Sequence, residues 1–536
     1  MAEIAHVVVL MLENRSFDHL LGYVPHPDPA FDGLLGRTHR NPGWQRGPAV
    51  AASPTAKKVL PVGPDHSHDA VMQQLALRGG QPTNQGFVRS YERKARNLDP
   101  PVFGGLLGPA VNWISRVLAR RDGVKGRGPL VMACQPPENV PVLAKLATEF
   151  AVCSRWFCSV PGETWPNRNF AHAATSDGQT EIVVRDYTNR TIFELLQDAG
   201  ADWRIYHDDT PQVWAFPALW ATPKQHAKWF RFDQFADHVA AGELTEYTFI
   251  EPNHRPPLHT LDHAPLIGTP DLSDSQHPEN NLVSDAAYDD FTLTGASDFT
   301  RAESLIATIY EALRAQPDVF DKTLLLITYD EHGGLYDHVP PPTGVHSPGG
   351  EISKTGRAWQ ALLQRKTAAF DFTMYGPRVP AVVISPRIPA GTVDSVPRDH
   401  ASIPATLRTL FAPDAEPLTA RDRFSPTFHE LLTLPEPRTD LPNLSEYATE
   451  LTMAIEASAM AASALASASA TAALAETPPV PDYYKPFLTL AGQVQERLAA
   501  VGEPESAEPV TGPAALQGTQ ITQEFADAAD RHRQSP

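Results

Sequence analysis

Ile4-Ala5-His6-Val7-Val8-Val9-Leu10-Met11-Leu12 runs directly into Glu13-Asn14-Arg15-Ser16-Phe17-Asp18-His19. Far downstream, Thr323-Leu324-Leu325-Leu326-Ile327-Thr328-Tyr329 runs into Asp330-Glu331-His332-Gly333-Gly334 in the same way. Apolar runs this continuous predict strands buried on both faces, as in a parallel sheet covered by helices. Ligands of such sheets bind beyond the carboxyl ends of the strands, which is where Glu13, Asn14, Asp330 and Glu331 fall. Three carboxylates and an amide gathered there repel one another unless a cation sits among them. Either end alone also reads as the approach to a helix capped by Ser16, or as an ordinary strand-end turn. Two matching ends favour a metal-dependent hydrolase site.

A third string, Ser159-Val160-Pro161-Gly162-Glu163-Thr164-Trp165-Pro166-Asn167-Arg168-Asn169-Phe170, supplies a nucleophile. Pro166 suits a first helical position, where its missing N–H costs nothing. That places Thr164 just outside a helix N-terminus, an anion site suited to phosphate. A hydroxyl beside a divalent cation loses its proton more readily and can attack phosphorus. By itself Thr164 also reads as a capping hydroxyl.

Together these strings resemble the bacterial phospholipase C and acid phosphatase family, a phosphoesterase branch of the alkaline-phosphatase-like superfamily; plant non-specific phospholipases C are similar. The resemblance continues through Asp65-His66-Ser67-His68, Gln276-His277-Pro278, Asp337-His338, Gly376-Pro377-Arg378-Val379-Pro380 and Asp399-His400-Ala401-Ser402, in the family's order over roughly residues 1 to 435. It implies an α/β, alkaline-phosphatase-like fold, with a mostly parallel central sheet flanked by helices and long loops forming a cap. It implies Glu13, Asn14, Asp330 and Glu331 as ligands of one divalent metal ion, and Thr164 as the hydroxyl nucleophile beside that ion. His66 and His277 match histidines that contact the phosphoryl group and serve its leaving oxygen; His207, in Tyr206-His207-Asp208-Asp209, is a further match. Two positions depart from the pattern. Glu163 stands where Pro is usual and His68 where an aromatic is usual, and each adds a polar group near the site.

Composition fits a catalyst. A chain of 536 residues, 42% hydrophobic, can bury at least one large core. A formal net charge of −19 argues against a nucleic-acid or anionic-membrane surface. Cys134, Cys153 and Cys158 are too few for a disulfide framework and lack metal-site spacing, so buried free thiols are expected. No signal peptide is visible, which points to the cytoplasm, or to a secreted or periplasmic protein if this is a mature form.

Strand and helix patterns alternate along the chain. Helices are expected at Asn139–Phe150, from Thr191, and at Ser402–Phe411, with strands at Trp203–Tyr206 (ending at His207) and Val379–Ser385. Residues 25–65 and 251–295 are irregular, and are expected as the loops that bring His66 and His277 to the pocket as its roof. His19 is expected in a structural role, while His332, His338 and His400 either touch substrate or hold loops. Asp208 and Asp209 read as solvated charges, or as partners for a cationic head group.

Residues 1–435 therefore form the expected catalytic domain, and 436–536 an extension. Ala457–Ala475 is an uncharged run of small residues without the large aliphatics of a membrane span. Tyr483–Ala500 reads as a short helix and the chain after Gly502 as mobile; no catalytic role is assigned to this tail. Oxygen ligation favours Ca²⁺, Mg²⁺ or Mn²⁺, and carboxylates also bind Zn²⁺. The expected substrate is a phosphodiester lipid, with a small phosphomonoester as the alternative and a non-catalytic binding protein as a remote one.

Overall fold

The computed structural model describes residues 4–56, 60, 63–96, 128–254, 274–278, 299–350, 352–363, 370–448, 483–500 and 514–534. An eight-stranded sheet lies at its centre. Its spatial order is Thr392–Asp394, Ala151–Cys153, Ala381–Ile384, Thr323–Tyr329, His6–Leu12, Tyr247–Ile250, Trp203–His207 and Trp229–Arg231. Neighbours run parallel except at Ala381–Ile384, which opposes both strands beside it. This is the mostly parallel α/β sheet expected from the sequence.

The register fixes the site. His6 to Leu12 pair in step with Thr323 to Tyr329, so the two apolar runs end level with one another. The Asp330 N–H still donates to the Leu12 carbonyl (3.1 Å), and the chain then breaks away. Val7 to Leu12 and Thr323 to Tyr329 are all buried, so both faces of the sheet are covered. Burying each of these large aliphatic side chains contributes ~1.5–3 kcal/mol, which makes the platform rigid.

Two groups of helices provide the cover: Thr300–Arg314 with Pro141–Glu149, and Ser402–Phe411 with Thr164–Ala173 and Ile192–Asp198. Val140, Val142, Leu143, Leu146 and Ala147 are buried as their spacing predicts. Thr191 opens its helix through a capping box with Glu194. Cys134, Cys153 and Cys158 are buried free thiols.

Within 25–65 the described residues form two-residue strands, Arg40–Asn41 paired with Val50–Ala51, and a short 3-10 turn at Trp44–Arg46. Of 251–295, residues 251–254 and 274–278 are described; the rest of that expected roof, and Ala457–Ala475, lie outside the described residues. Lys485–Ala500 is helical as expected, but Ala514–Gln534 is a second helix where mobile chain was expected. The reason is burial. Leu490, Ala491, Val494, Ile521, Phe525 and Ala529 join the main hydrophobic core, and no reading of local composition registers such a distant partner. No described helix is long and apolar enough to cross a membrane.

Candidate active site

Glu13 and Asn14 leave one strand beside Asp330 and Glu331 leaving the next. Asn14 turns into the left-handed region (φ 57°), which Asn tolerates better than most residues. Its N–H donates to Asp330 Oδ1 (2.9 Å), fastening the two strand ends together. Gly333 makes this possible: a Cβ there would lie 2.0 Å from the Asn14 carbonyl oxygen, and its own φ is +64°. Glu331 Oε2 accepts from the Gly333 N–H (2.8 Å), and Glu331 Oε1 lies 3.0 Å from His66 Nδ1.

Thr164 reaches the same spot from another element. Its hydroxyl donates to Asn14 Oδ1 at 3.2 Å, and its residue is only 3% exposed. The helix begins at Thr164 itself, with Glu163 before it, rather than at Pro166. Pro166 is thus the third helical residue. It still costs no hydrogen bond, because the whole first turn lacks intrahelical acceptors. The first-turn N–H groups, which lack intrahelical acceptors, lie at Thr164.

The carboxylates are held by cations that the sequence reading did not assign. Arg168, one helical turn beyond Thr164, donates from Nε to Asp330 Oδ2 (3.0 Å), from Nη1 to Glu251 Oε2 (2.8 Å) and from Nη2 to the Met11 carbonyl (2.8 Å). Glu251 follows the apolar strand Tyr247–Ile250, so it obeys the same strand-end rule as Glu13 and Asp330. His254 lies between acids, Nδ1 at 2.9 Å from Glu13 Oε2 and Nε2 at 3.3 Å from Glu251 Oε1. Burial opposes charge on every one of these groups, yet mutual pairing holds Glu13 and Glu331 below the ordinary carboxylate range. The same pairing lifts His66 to about 9 and His254 to about 10, against the effect of burial. Burial pushes Asp330 up, with Arg168 pulling the other way.

His66 and His277 face each other with ring centroids 5.8 Å apart. Burial pushes His277 down to about 3. His207 is at the right strand end but is not brought to Thr164 by any described contact. Its Nδ1 meets the Asp209 carbonyl (3.0 Å), and Trp214, Trp229 and Phe525 surround its ring. That apolar box pushes it down to about 4, as expected for a neutral structural imidazole.

The remaining histidines hold loops. His332 meets Gln74 Oε1 (2.7 Å). Trp156 donates to His400 Nδ1 (3.2 Å), which leaves His400 Nε2 to donate to the Asp330 carbonyl (2.6 Å) and brace it from behind. The buried His19 lies in the helix Phe17–Leu21, where its backbone N–H donates to the capping Ser16 hydroxyl (3.2 Å). Asp209 is not a solvated charge: it is buried, and both its carboxylate oxygens lie within reach of the Tyr484 hydroxyl (2.9 and 3.1 Å).

Both departures from the family pattern are used locally. Glu163 Oε2 accepts from the Ile182 N–H (2.5 Å), and His68 Nδ1 lies 2.5 Å from the Pro161 carbonyl. Glu181 accepts from the His68 N–H (2.9 Å), so the two sites share one latch. Gly162 allows that latch to close, since a Cβ there would meet the Thr180 carbonyl oxygen at 2.2 Å.

The chain matches the model of the Phosphoesterase family over residues 4–412. It is 35% identical to non-specific phospholipase C6 of Arabidopsis thaliana, over 81% of this chain and 74% of that protein. It is 33% identical to non-specific phospholipase C3 of the same plant, over 81% and 75%. A solved phosphonate monoester hydrolase from Silicibacter pomeroyi is a remote likeness, with 14% identity over 56% of this chain and 73% of that one and a TM-score of 0.28. The chain belongs to the Phosphoesterase family, a family of phosphoric ester hydrolases.

Proposed function

We propose that this phosphoric ester hydrolase cleaves phosphodiester lipids in the manner of a phospholipase C, with Thr164 as its nucleophile beside one divalent cation. One observation carries the reading: the Thr164 hydroxyl donates to Asn14 Oδ1 at the start of a helix, at the strand ends that bear Glu13, Asp330 and Glu331. The two plant relatives, both named non-specific phospholipases C, support the lipid as substrate.

The donor set fits such a cation. Glu13 Oε2 and Glu331 Oε1 are buried without a hydrogen bond, since His254 and His66 approach them at ion-pair distance but off the hydrogen-bond direction. Without a bound ion, the protonated His254 and His66 supply the positive charge that these buried oxygens need, a charge that a divalent cation would also bring. Glu13, Asn14, Asp330 and Glu331 would hold the ion, with the Thr164 oxygen beside it. Oxygen donors suit Ca²⁺, Mg²⁺ or Mn²⁺, and Zn²⁺ also accepts carboxylates. When bound, the ion supplies positive charge that offsets the phosphate and eases loss of the hydroxyl proton.

The chain's own groups do the rest. The first-turn N–H groups of the Thr164 helix face the phosphoryl oxygens. Thr164 gives its proton to solvent as Oγ1 bonds to phosphorus and the bond to the departing alcohol breaks; of His66 and His277, it is His66, lifted to about 9, that holds a proton to give that alcohol. Water then attacks the phosphothreonine while the same histidine takes its proton, and the departing Thr164 oxygen regains a proton from solvent. A panel of phospholipids and phosphomonoesters tests the reading. Diacylglycerol release from a phospholipid is expected. Turnover confined to monoesters overturns the lipid assignment and leaves an acid phosphatase.

A further inference from the structure

One helix, Lys354–Leu363, turns large apolar side chains outward. Trp359 and Leu362 lie three residues apart on one face and are 38% and 52% exposed. Lys354, Ala358 and Leu362, spaced by four, form an exposed row, and Thr355 and Arg357 are exposed as well. The residue that meets the rest of the molecule is Gly356: it is buried, and a Cβ there would run into the Asp177 carboxylate. The helix is fastened at that end. Asp177 accepts from the Ser353 N–H (2.7 Å) and from the Ser353 hydroxyl. Gln179 donates to the Gly356 carbonyl (3.1 Å), and Arg185 to the Thr355 hydroxyl (3.3 Å). The same loop runs on to Thr180, whose carbonyl accepts from the Glu163 N–H (3.2 Å), and to Ile182, whose N–H donates to the Glu163 carboxylate (2.5 Å). Glu163 directly precedes Thr164, so one loop joins the helix to the proposed nucleophile.

We propose that the exposed face of this helix docks on the zwitterionic phospholipid bilayer that carries the substrate. Trp359 and Leu362 enter the boundary between head groups and acyl chains, while Lys354 and Arg357 meet lipid phosphates. An ordinary surface helix buries its apolar stripe against the core. Here the buried contact is a glycine, and two large apolar side chains stay in water, which costs free energy until an apolar partner covers them. Tryptophan suits such a boundary, with an apolar body and an N–H that stays in the polar layer. Charge selects the kind of bilayer. The whole chain carries a formal charge of −19, which an anionic surface repels, whereas the two cations of this helix complement the phosphates of a zwitterionic one. With 10 residues the helix is too short to span a bilayer and lies in the plane of its surface. The inference rests on the lipid substrate proposed above, because a diester lipid sits in a bilayer and its phosphate has to be drawn from that layer to reach Thr164.

Flotation of the full-length protein with phosphatidylcholine vesicles tests docking without reference to turnover. The wild type should float, and Trp359→Ser combined with Leu362→Ser should weaken its partitioning ~10-fold or more. Trp359→Phe should stay within ~3-fold of wild type. Lys354→Glu combined with Arg357→Glu probes the same face without touching its apolar residues, and should weaken partitioning at least ~3-fold. Leu35→Ser, at a comparably exposed leucine of the 25–65 loop, should leave it unchanged. Turnover then separates docking from catalysis. The Trp359 and Leu362 double variant should lose ~10-fold on vesicles, yet remain within ~2-fold of wild type on dihexanoyl phosphatidylcholine kept monomeric. Wild-type protein that does not float with phosphatidylcholine, or floats only with phosphatidylserine, overturns the proposal. So does a double variant that floats like wild type, including one whose only change is its oligomeric state in sedimentation. Equal losses on vesicles and on monomeric lipid also overturn it, since the helix would then brace the site. Helix-dependent flotation of a protein that releases no diacylglycerol from either form of lipid overturns the lipid-hydrolase reading and leaves docking in place. Hydrolysis of monomeric lipid by a protein that never floats does the reverse.

Discussion

Two buried acidic clusters are built from the same two chain segments, a few residues apart, and they are finished differently. At the strand ends, Glu13, Asp330, Glu331 and Glu251 meet Arg168, His66 and His254. Further along, Asp18, Asp337 and His338 converge closely enough to suggest a metal site. There Arg378 already occupies the position of the cation. It donates to Asp337 Oδ1 (2.8 Å), Asp18 Oδ1 (3.0 Å) and the Ser154 carbonyl (2.8 Å), and packs over Phe17. Asp18 Oδ2 is met by His338 (2.7 Å), and Asp337 Oδ2 by the Asp18 N–H (3.1 Å). Every carboxylate oxygen in that second cluster has a directed hydrogen bond, whereas Glu13 Oε2 and Glu331 Oε1 in the first have a histidine at ion-pair distance and no directed hydrogen bond. A completed cluster is a lock; an incomplete one is where chemistry is expected. Arginine's fixed fork suits the first role, and histidines suit the second.

The widest separation between the two regions should come from Thr164, the proposed nucleophile. Thr164→Ala should lower kcat ~10³-fold or more while the melting temperature stays near wild type, and Thr164→Ser should recover part of the rate. A variant retaining a tenth of the rate would exclude the covalent route.

Arg378→Leu should do the reverse. It strands the buried Asp18 and Asp337 and should cost ~3–5 kcal/mol of stability in denaturant unfolding. A cost below ~1 kcal/mol would mean that Arg378 does not lock its cluster.

Removing one acid from the strand-end cluster should be far milder for the metal-free fold. Glu13→Gln deletes a charge from a group of four carboxylates, while Arg168 keeps Asp330 and Glu251, and His254 keeps Glu251. We expect metal-free stability within ~1 kcal/mol of wild type, read by the same unfolding curves, alongside lost activity. A loss as large as that of Arg378→Leu would erase the distinction between the clusters.

A pH dependence of stability is expected in the lock as well. Burial lowers the affinity of His338 for its proton, but Asp18 more than compensates and raises it to about 9. A folded-state pKa above the unfolded one stabilises fully below the unfolded value near 6.5, and that contribution fades as pH rises through about 9. His338→Gln should therefore flatten the stability profile between those limits, removing ~1–3 kcal/mol of pH dependence. An unchanged slope would contradict this assignment.

The strand ends were legible because a buried parallel strand needs an unbroken apolar run, and the first polar residue after it must leave the sheet. That rule places Glu13, Asn14, Asp330 and Glu331. It also covers Glu251, which was overlooked because its strand spans only Tyr247–Ile250 and Pro252 follows at once, so the segment read as loop. The reversed direction of Ala381–Ile384 leaves no trace in an apolar run. Arg168 was visible in its motif, but its choice of Asp330 and Glu251 depends on where three separate strands end. Tyr483, whose ring stacks on His277, was the least legible. It meets His277 across two hundred residues of chain, and nothing in Tyr483-Tyr484-Lys485-Pro486-Phe487 signals a partner so far away.

The two clusters differ most sharply if the strand-end cluster takes up a divalent ion and the Arg378 cluster does not. Elemental analysis of the purified protein, with Asp330→Asn and Asp337→Asn beside it, tests this directly. Close to one divalent ion per chain is expected in the wild type, lost together with activity in Asp330→Asn and retained in Asp337→Asn. Metal that survives in Asp330→Asn but disappears from Asp337→Asn would contradict it, as would full activity in a protein stripped of divalent ions.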